Sequence, residues 1–325
     1  MNITVLGAGA WGSALAIAFA PSHRVTLLAR DAKQATAMQG ARENNRYLAG
    51  CPFPEALSVS AKPEILNTAD LVLIATPVSG LRGALSLLTR HAPAISFLWA
   101  CKGLEANTGA LPHQIVADTH GTVSNGALSG PSFAQEVAHG LPAAITLAAN
   151  NSDFARKTAL ALHGARLRIY ASDDLIGVEI AGAVKNVLAI ASGISDGLGL
   201  GLNARAALIT RGLAEITRFG MAAGAKRETF MGLAGMGDVI LTCTGDLSRN
   251  RHVGLALAAG QTLQQATKAL GHVAEGVNTA REVMRKAVTM GIEMPICAAV
   301  SAVLDGRLAV RDAVERLMGR DPTIE

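Results

Sequence analysis

Ile3-Thr4-Val5-Leu6-Gly7-Ala8-Gly9-Ala10-Trp11-Gly12-Ser13-Ala14-Leu15 opens the chain, and its reading decides the fold. Ile3–Leu6 is an apolar run of strand length, and Trp11–Phe19 is a stretch of helical length. Gly7, Gly9 and Gly12 lie at the junction as Gly-x-Gly-x-x-Gly. Each glycine has its own task in a strand–turn–helix unit. Gly7 allows the tight turn, Gly9 lets backbone N–H groups approach a pyrophosphate, and Gly12 lets the helix pack close to the strand. The pyrophosphate then sits at the helix N-terminus, where unpaired amides and the dipole favour anions. A plain tight turn is the alternative, and the flanking strand and helix favour the dinucleotide reading. Gly197-Leu198-Gly199-Leu200-Gly201 lacks that context and reads as a loop or a site of helix–helix packing.

Outward from this loop, short apolar runs alternate with helical stretches. Val25–Ala29, Leu71–Ala75, Ile95–Ala100, Ala143–Ala148 and Leu167–Tyr170 are candidate strands, with helical stretches at Asp31–Gln39 and Val78–His91. Such alternation implies βαβ units and a mostly parallel, doubly wound sheet. From Leu175 the pattern changes to long Ala/Leu/Val/Ile segments of helical spacing: Leu175–Ile194, Ala204–Ala223, Val253–Ala259, Thr279–Met290, Pro295–Asp305 and Val310–Met318. Ser172-Asp173-Asp174 supplies helix-capping chemistry before the first of them. The expectation is an α/β dinucleotide-binding domain over residues 1–175 and an all-α substrate and catalytic domain over residues 176–325.

Composition narrows the function classes. The 325 residues are 50% apolar and 17% charged, which excludes global disorder. Net charge is +4 with no long basic run, so nucleic acid is not an expected partner. The cysteines at 51, 101, 243 and 297 show no zinc-type spacing, so no metal is expected. The most apolar helical stretch, Leu175–Ile194, contains Glu179, Lys185 and Asn186, which argues against a membrane span. The N-terminus has no basic region of signal-peptide type. A soluble, cytoplasmic protein is the resulting expectation.

Several residues stand where chemistry is expected. Arg30-Asp31 ends the second strand, where this fold holds the adenosine ribose; an Arg there suits a 2′-phosphate, and Asp31 equally suits capping the next helix. Lys102 follows the strand ending at Cys101, beyond the carboxyl ends of strands where ligands bind. Ser129-Gly130-Pro131-Ser132 precedes a helical stretch, Phe133–His139, and reads as an anion site or as a turn capped by Ser132. Lys185 and Asn186 sit in the middle of a helix apolar all round, and are therefore expected to be buried. Burial lowers a lysine pKa toward the range of an acid–base catalyst. Pairing with Glu179, six residues away, is not available on one helix face, though another buried acid remains an alternative. Asp238 is a helix cap or a partner for Lys185, with Thr242 one turn on. Ser248-Arg249-Asn250-Arg251 reads as a phosphate site or a solvated cluster.

Taken together, these blocks resemble the soluble bacterial NAD(P)-dependent sn-glycerol-3-phosphate dehydrogenases. The blocks are Gly7–Leu15, Cys101-Lys102-Gly103-Leu104-Glu105, Leu128–Ala134, Glu179–Asn186, Gly235-Met236-Gly237-Asp238 with Leu241–Thr244, Ser248-Arg249-Asn250 and Val273-Ala274-Glu275-Gly276. The resemblance implies reduction of dihydroxyacetone phosphate to sn-glycerol 3-phosphate by NAD(P)H, which supplies the backbone of glycerophospholipids. It implies Lys185 as acid/base, with Lys102, Asp238 and Thr242 beside it. Gly130, Ser132, Asn186, Ser248, Arg249 and Asn250 become substrate contacts. Gly7, Gly9, Ala10, Trp11, Gly12, Arg30, Lys102, Ala134, Arg249, Val273 and Glu275 become cofactor contacts. A homodimer is the family-level expectation. Ala10 replaces a frequent Ser, and Ala75-Thr76-Pro77 a frequent Ala-Val-Pro. The competing readings are a β-hydroxyacid dehydrogenase relative with the same two domains, and a dinucleotide sensor without catalysis.

Overall fold

The computed structural model describes residues 1–120, 123–270 and 274–320. The chain divides into two compact units, Met1–Lys102 with Ala110–Glu179, and Gly103–Gly109 with Ile180–Glu325. The division falls inside the helix Leu175–Gly197.

Among the described residues, the first unit, here the nucleotide unit, is built on ten strands. They are β1 (Asn2–Leu6), β2 (Arg24–Leu28), β3 (Glu43–Asn44), β4 (Leu48–Pro52), β5 (Leu57–Ser60), β6 (Leu71–Ile74), β7 (Phe97–Trp99), β8 (Asn125–Ser129), β9 (Ala143–Ala149) and β10 (Leu167–Ser172). Eight form one sheet in the order β10-β9-β8-β7-β6-β1-β2-β5, and β3 pairs with β4 separately. The sheet is parallel except for β8 against β9. All four residues of β6 and the last four of β1 are buried, as strands covered on both faces require. Because β1 lies between β6 and β2, the strand order turns at β1, and Gly7 leaves the sheet at that switch point. The mostly parallel doubly wound sheet expected from the alternation is thus present. The sequence reading did not anticipate β3, β4 and β5, nor the helices Pro112–His120 and Ser152–Leu162, whose faces are mixed.

The second, helical unit is built around helix Leu175–Gly197, where Gly177 through Ser195 are buried without a break. By length and apolarity alone this helix passes for a membrane span, so the charges read in the sequence do not by themselves argue against one. The two charges in its most apolar window are too few to exclude one, but 89% of that window is buried inside the protein. Backbone approaches backbone where it meets helix Arg249–Ala258. A Cβ at Gly254 would lie 2.1 Å from Ile190 O, and one at Gly193 would lie 2.0 Å from Arg251 O. Gly197 packs on the Ala258 side chain, whereas Gly199 and Gly201 turn the chain with positive φ. Helices Gly201–Ala222, Glu275–Thr289, Pro295–Leu304 and Val310–Met318 complete most of the unit.

Candidate active site

In the nucleotide unit the glycine loop is shaped by contact on two sides and open on the third. Gly7 has φ +117°, and a Cβ there would lie 2.9 Å from Ala75 C. A Cβ at Gly12 would lie 1.9 Å from Gly7 O, so helix Ala10–Phe19 packs directly on the turn. At Gly9, by contrast, a Cβ would meet nothing within 4 Å. Gly9 is also the N-cap of that helix, which has no side-chain cap. Uncapped amides beside open space fit a dinucleotide pyrophosphate. Ala10 and Trp11 are half-buried in the first turn. The loop is braced by Asn44, whose buried Nδ2 donates to Ala8 O at 3.1 Å and to Ser13 Oγ at 2.7 Å. The sequence reading missed Asn44, and no spacing signals it.

Arg30 and Asp31 follow β2, and Asp31 resolves as a cap, accepting from Gln34 N at 2.8 Å. Arg30 is exposed. Beyond β7, Lys102 Nζ donates to Gly130 O at 3.2 Å, and Ser132 Oγ donates to the same oxygen at 3.0 Å. Gly130 has φ +135°, and a Cβ there would lie 3.0 Å from Ile145 Cα. Ser132 does not cap: the helix Ala134–Ala138 starts after Phe133, and the Ser132 hydroxyl turns back to Gly130 instead. Ala134 opens that helix, which packs against the core near Trp11. Thr76, in the departure noted above, has its Oγ1 buried with no partner among the described residues.

In the helical unit, Lys185 is only 7% exposed. Its ammonium donates to the Asp238 carboxylate and to Thr242 Oγ1, the latter at 2.7 Å. Thr242 in turn gives its own proton to Asp238 O at 2.6 Å, leaving a lone pair for the lysine. Asp238 is therefore a partner of Lys185 and not a cap. It is the first residue of helix Asp238–Thr244, delivered by a π-helical turn, Leu233–Gly237. Such turns are frequent at functional sites. The alternative acid, Glu179, lies elsewhere in the fold. Its buried carboxylate accepts from Trp99 Nε1 at 3.0 Å and His113 N at 2.9 Å and pairs with His113 Nδ1. Burial pushes that carboxyl up. Burial likewise pushes the Cys243 thiol, beside this site, up to about 12.

The next residue, Asn186, begins a second network. Asn250 Nδ2 donates to Asn186 Oδ1 at 2.9 Å, and Gly276 N donates to Asn250 Oδ1 at 3.1 Å. A Cβ at Gly276 would lie 2.7 Å from Asn186 O, so only glycine closes this corner. Ser248 Oγ caps helix Arg249–Ala258 by accepting from Arg251 N at 3.3 Å.

Residues 2–155 match the NAD-dependent glycerol-3-phosphate dehydrogenase N-terminus, and residues 174–315 match its C-terminus. The chain belongs to the NAD-dependent glycerol-3-phosphate dehydrogenase family. A glycerol-3-phosphate dehydrogenase [NAD(P)+] of Dechloromonas aromatica (strain RCB) is 60% identical over 100% of this chain and 99% of its own. One from Aromatoleum aromaticum is 58% identical over the full length of both. The crystal structure of glycerol-3-phosphate dehydrogenase from Coxiella burnetii is 43% identical, covers 98% of this chain and 99% of its own, and has a TM-score of 0.94.

Set against the contacts that family resemblance implies, the structure brings Lys185, Asp238 and Thr242 together, links Asn186 to Asn250, and gathers Lys102 and Ser132 on Gly130. The Arg pair is not held together. Arg251 is 11% exposed in its side chain and tied to Asp196 and Asp246, whereas Arg249 is exposed. Glu275 opens helix Glu275–Thr289 and is half-buried. Val273 lies outside the described residues.

Proposed function

We propose that the chain reduces dihydroxyacetone phosphate to sn-glycerol 3-phosphate with NAD(P)H, and that Lys185 is its acid/base. The observation that carries this reading is the buried Lys185 ammonium held by Asp238 and Thr242 in a member of this family. Gly7, Gly9, Ala10, Trp11 and Gly12 hold the dinucleotide in this reading, with Arg30 at the adenosine ribose. Ala134, Arg249, Val273 and Glu275 are further cofactor contacts. When bound, the nicotinamide supplies the hydride. Lys185 stabilises the negative charge that develops on the carbonyl oxygen and delivers a proton to that oxygen. Asp238 and Thr242 hold the ammonium in place beforehand, so little reorganisation accompanies charge development. Asn186, Ser248 and Asn250 orient the substrate, and Arg249 grips its phosphate through a planar fork. Lys102, with Gly130 and Ser132, polarises the carbonyl. A cytoplasmic homodimer feeding glycerophospholipid synthesis is the family-level setting for this activity.

The test is NADH and NADPH oxidation with dihydroxyacetone phosphate and with free dihydroxyacetone. We expect the phosphate ester to be far the better substrate in kcat/KM, because its phosphate anchors the reacting end. Equal values for both ketones would sink the phosphate assignment. Lys185→Ala should lose about 10²–10⁴-fold in kcat per folded molecule. It should also lose about 3–5 kcal/mol of stability, because the buried Asp238 carboxylate loses the ammonium that offsets its charge. Near-normal turnover per folded molecule, with only the stability lost, would make Lys185 a structural ion-pair partner.

A further inference from the structure

The segment Gly103–Gly109 follows Lys102 directly, clusters with the helical unit, and is gripped there by one helix. Three side chains of helix Glu275–Thr289, at i, i+3 and i+4, reach its backbone. Glu282 Oε1 accepts from Asn107 N at 3.0 Å, Arg285 Nη1 donates to Asn107 O at 2.6 Å, and Lys286 Nζ donates to Gly109 O at 3.3 Å. Arg285 Nη2 also donates to Glu282 Oε1 at 3.1 Å, which locks the two grips together.

The residue gripped from both sides is a strained one. Asn107 has φ +72°, one of only two non-glycine residues with positive φ among those described. A left-handed conformation persists where its surroundings over-determine it, and such residues cluster at functional sites. Glu282 is 4% exposed, and its second oxygen, Oε2, is buried with no partner among the described residues. Leaving a carboxylate oxygen unpaired is costly, and the arrangement keeps it while the other oxygen holds Asn107 N and the guanidinium that grips Asn107 O. Gly103, at the start of that loop, has φ +141°, so the chain next to Lys102 also takes a backbone shape reserved for glycine.

We propose that Glu282, Arg285 and Lys286 are positioning residues. They clasp the Gly103–Gly109 segment in one conformation and thereby set where Lys102 presents its ammonium to the substrate. The inference rests on the reading of Lys102 as a substrate-polarising group. The clasp holds backbone atoms only, so the side chain of Asn107 matters solely through the φ it tolerates.

The test is a double-mutant cycle read in kcat/KM for dihydroxyacetone phosphate. Glu282→Ala and Arg285→Ala should each lower it about 10- to 100-fold, the cost of misplacing a reacting group by an ångström or less. Neither should lower it further in a Lys102→Met background. Asn107→Gly should keep near-normal activity, and Asn107→Val should lose as much as the clasp variants. Arg285 is 55% exposed in its side chain, so Arg285→Ala keeps the test open if Glu282→Ala does not fold. Full multiplication of the losses in the Lys102→Met background overturns the clasp. So does a lowered melting temperature with unchanged kcat/KM in Glu282→Ala and Arg285→Ala. If Lys102→Met alone leaves kcat/KM unchanged, the reading of Lys102 fails first, and that outcome is seen without touching the clasp.

Discussion

Arg30 ends its strand with an exposed guanidinium, while its neighbour Asp31 is committed to the amide of Gln34. The division of labour matters for cofactor choice. An acid turned toward the ribose would repel a 2′-phosphate, and an acid spent as a helix cap does not. A guanidinium–phosphate hydrogen bond contributes about 1.5–3 kcal/mol. Arg30→Ala should therefore raise the KM for NADPH about tenfold or more and that for NADH little. Initial-rate kinetics with both cofactors check this, and an equal change for the two would remove Arg30 from the 2′ position.

Helix Pro295–Leu304 shows how an element of this fold is completed from outside itself. Its N-cap position is Met294, which offers no side-chain acceptor. Glu215, from helix Gly201–Ala222, supplies the cap, accepting from Ile296 N at 2.7 Å and Cys297 N at 3.2 Å. An acid at a helix N-terminus is favoured by the dipole, yet burial dominates and pushes the Glu215 carboxyl above its ordinary value of 4.5. Removing the side chain leaves two buried amides without partners, so Glu215→Ala should cost about 2–4 kcal/mol in urea denaturation while leaving turnover per folded molecule unchanged. The pH dependence has a definite sign. Between 4.5 and the raised folded value the native state holds the extra proton. Stability from this group is thus fully present below 4.5 and falls as pH rises through the folded value. The unfolding free energy of Glu215→Gln should decline less steeply over that window than the wild type's, and an equal slope would refute it.

On the scale of the whole molecule, the four cysteines report on cooperativity. None is bridged and all are buried. Burial pushes the Cys51 thiol up, holds Cys243 at about 12 and raises Cys297 well above its ordinary range. Thiolates are the reactive form, so modification must wait for opening of the fold. Alkylation at pH 8 followed by mass spectrometry should find Cys51, Cys243 and Cys297 unmodified in the native protein and all four modified in denaturant. Rapid native labelling of Cys243 would show that the Lys185 region opens locally.

Much of this fold was legible in the residues alone. The glycine loop, six of the strands and the long apolar helix each announce themselves through local periodicity, because burial of one face or of all faces dictates the spacing of apolar side chains. That Lys185 would be buried followed from the same rule, and Thr242 was placed on the face of Asp238 by helix geometry. The partners were another matter. Lys185 meets Asp238 across 53 residues, and Asn186 meets Asn250 across 64. Those meetings depend on helices touching backbone to backbone at Gly193 and Gly254, and on a π turn that delivers Asp238. Nor does any spacing indicate that Asn44 braces the glycine loop or that Glu215 caps a distant helix. Local pattern states which side of an element faces the core. Which groups then meet there is decided by how closely the elements pack, and only the tertiary structure carries that.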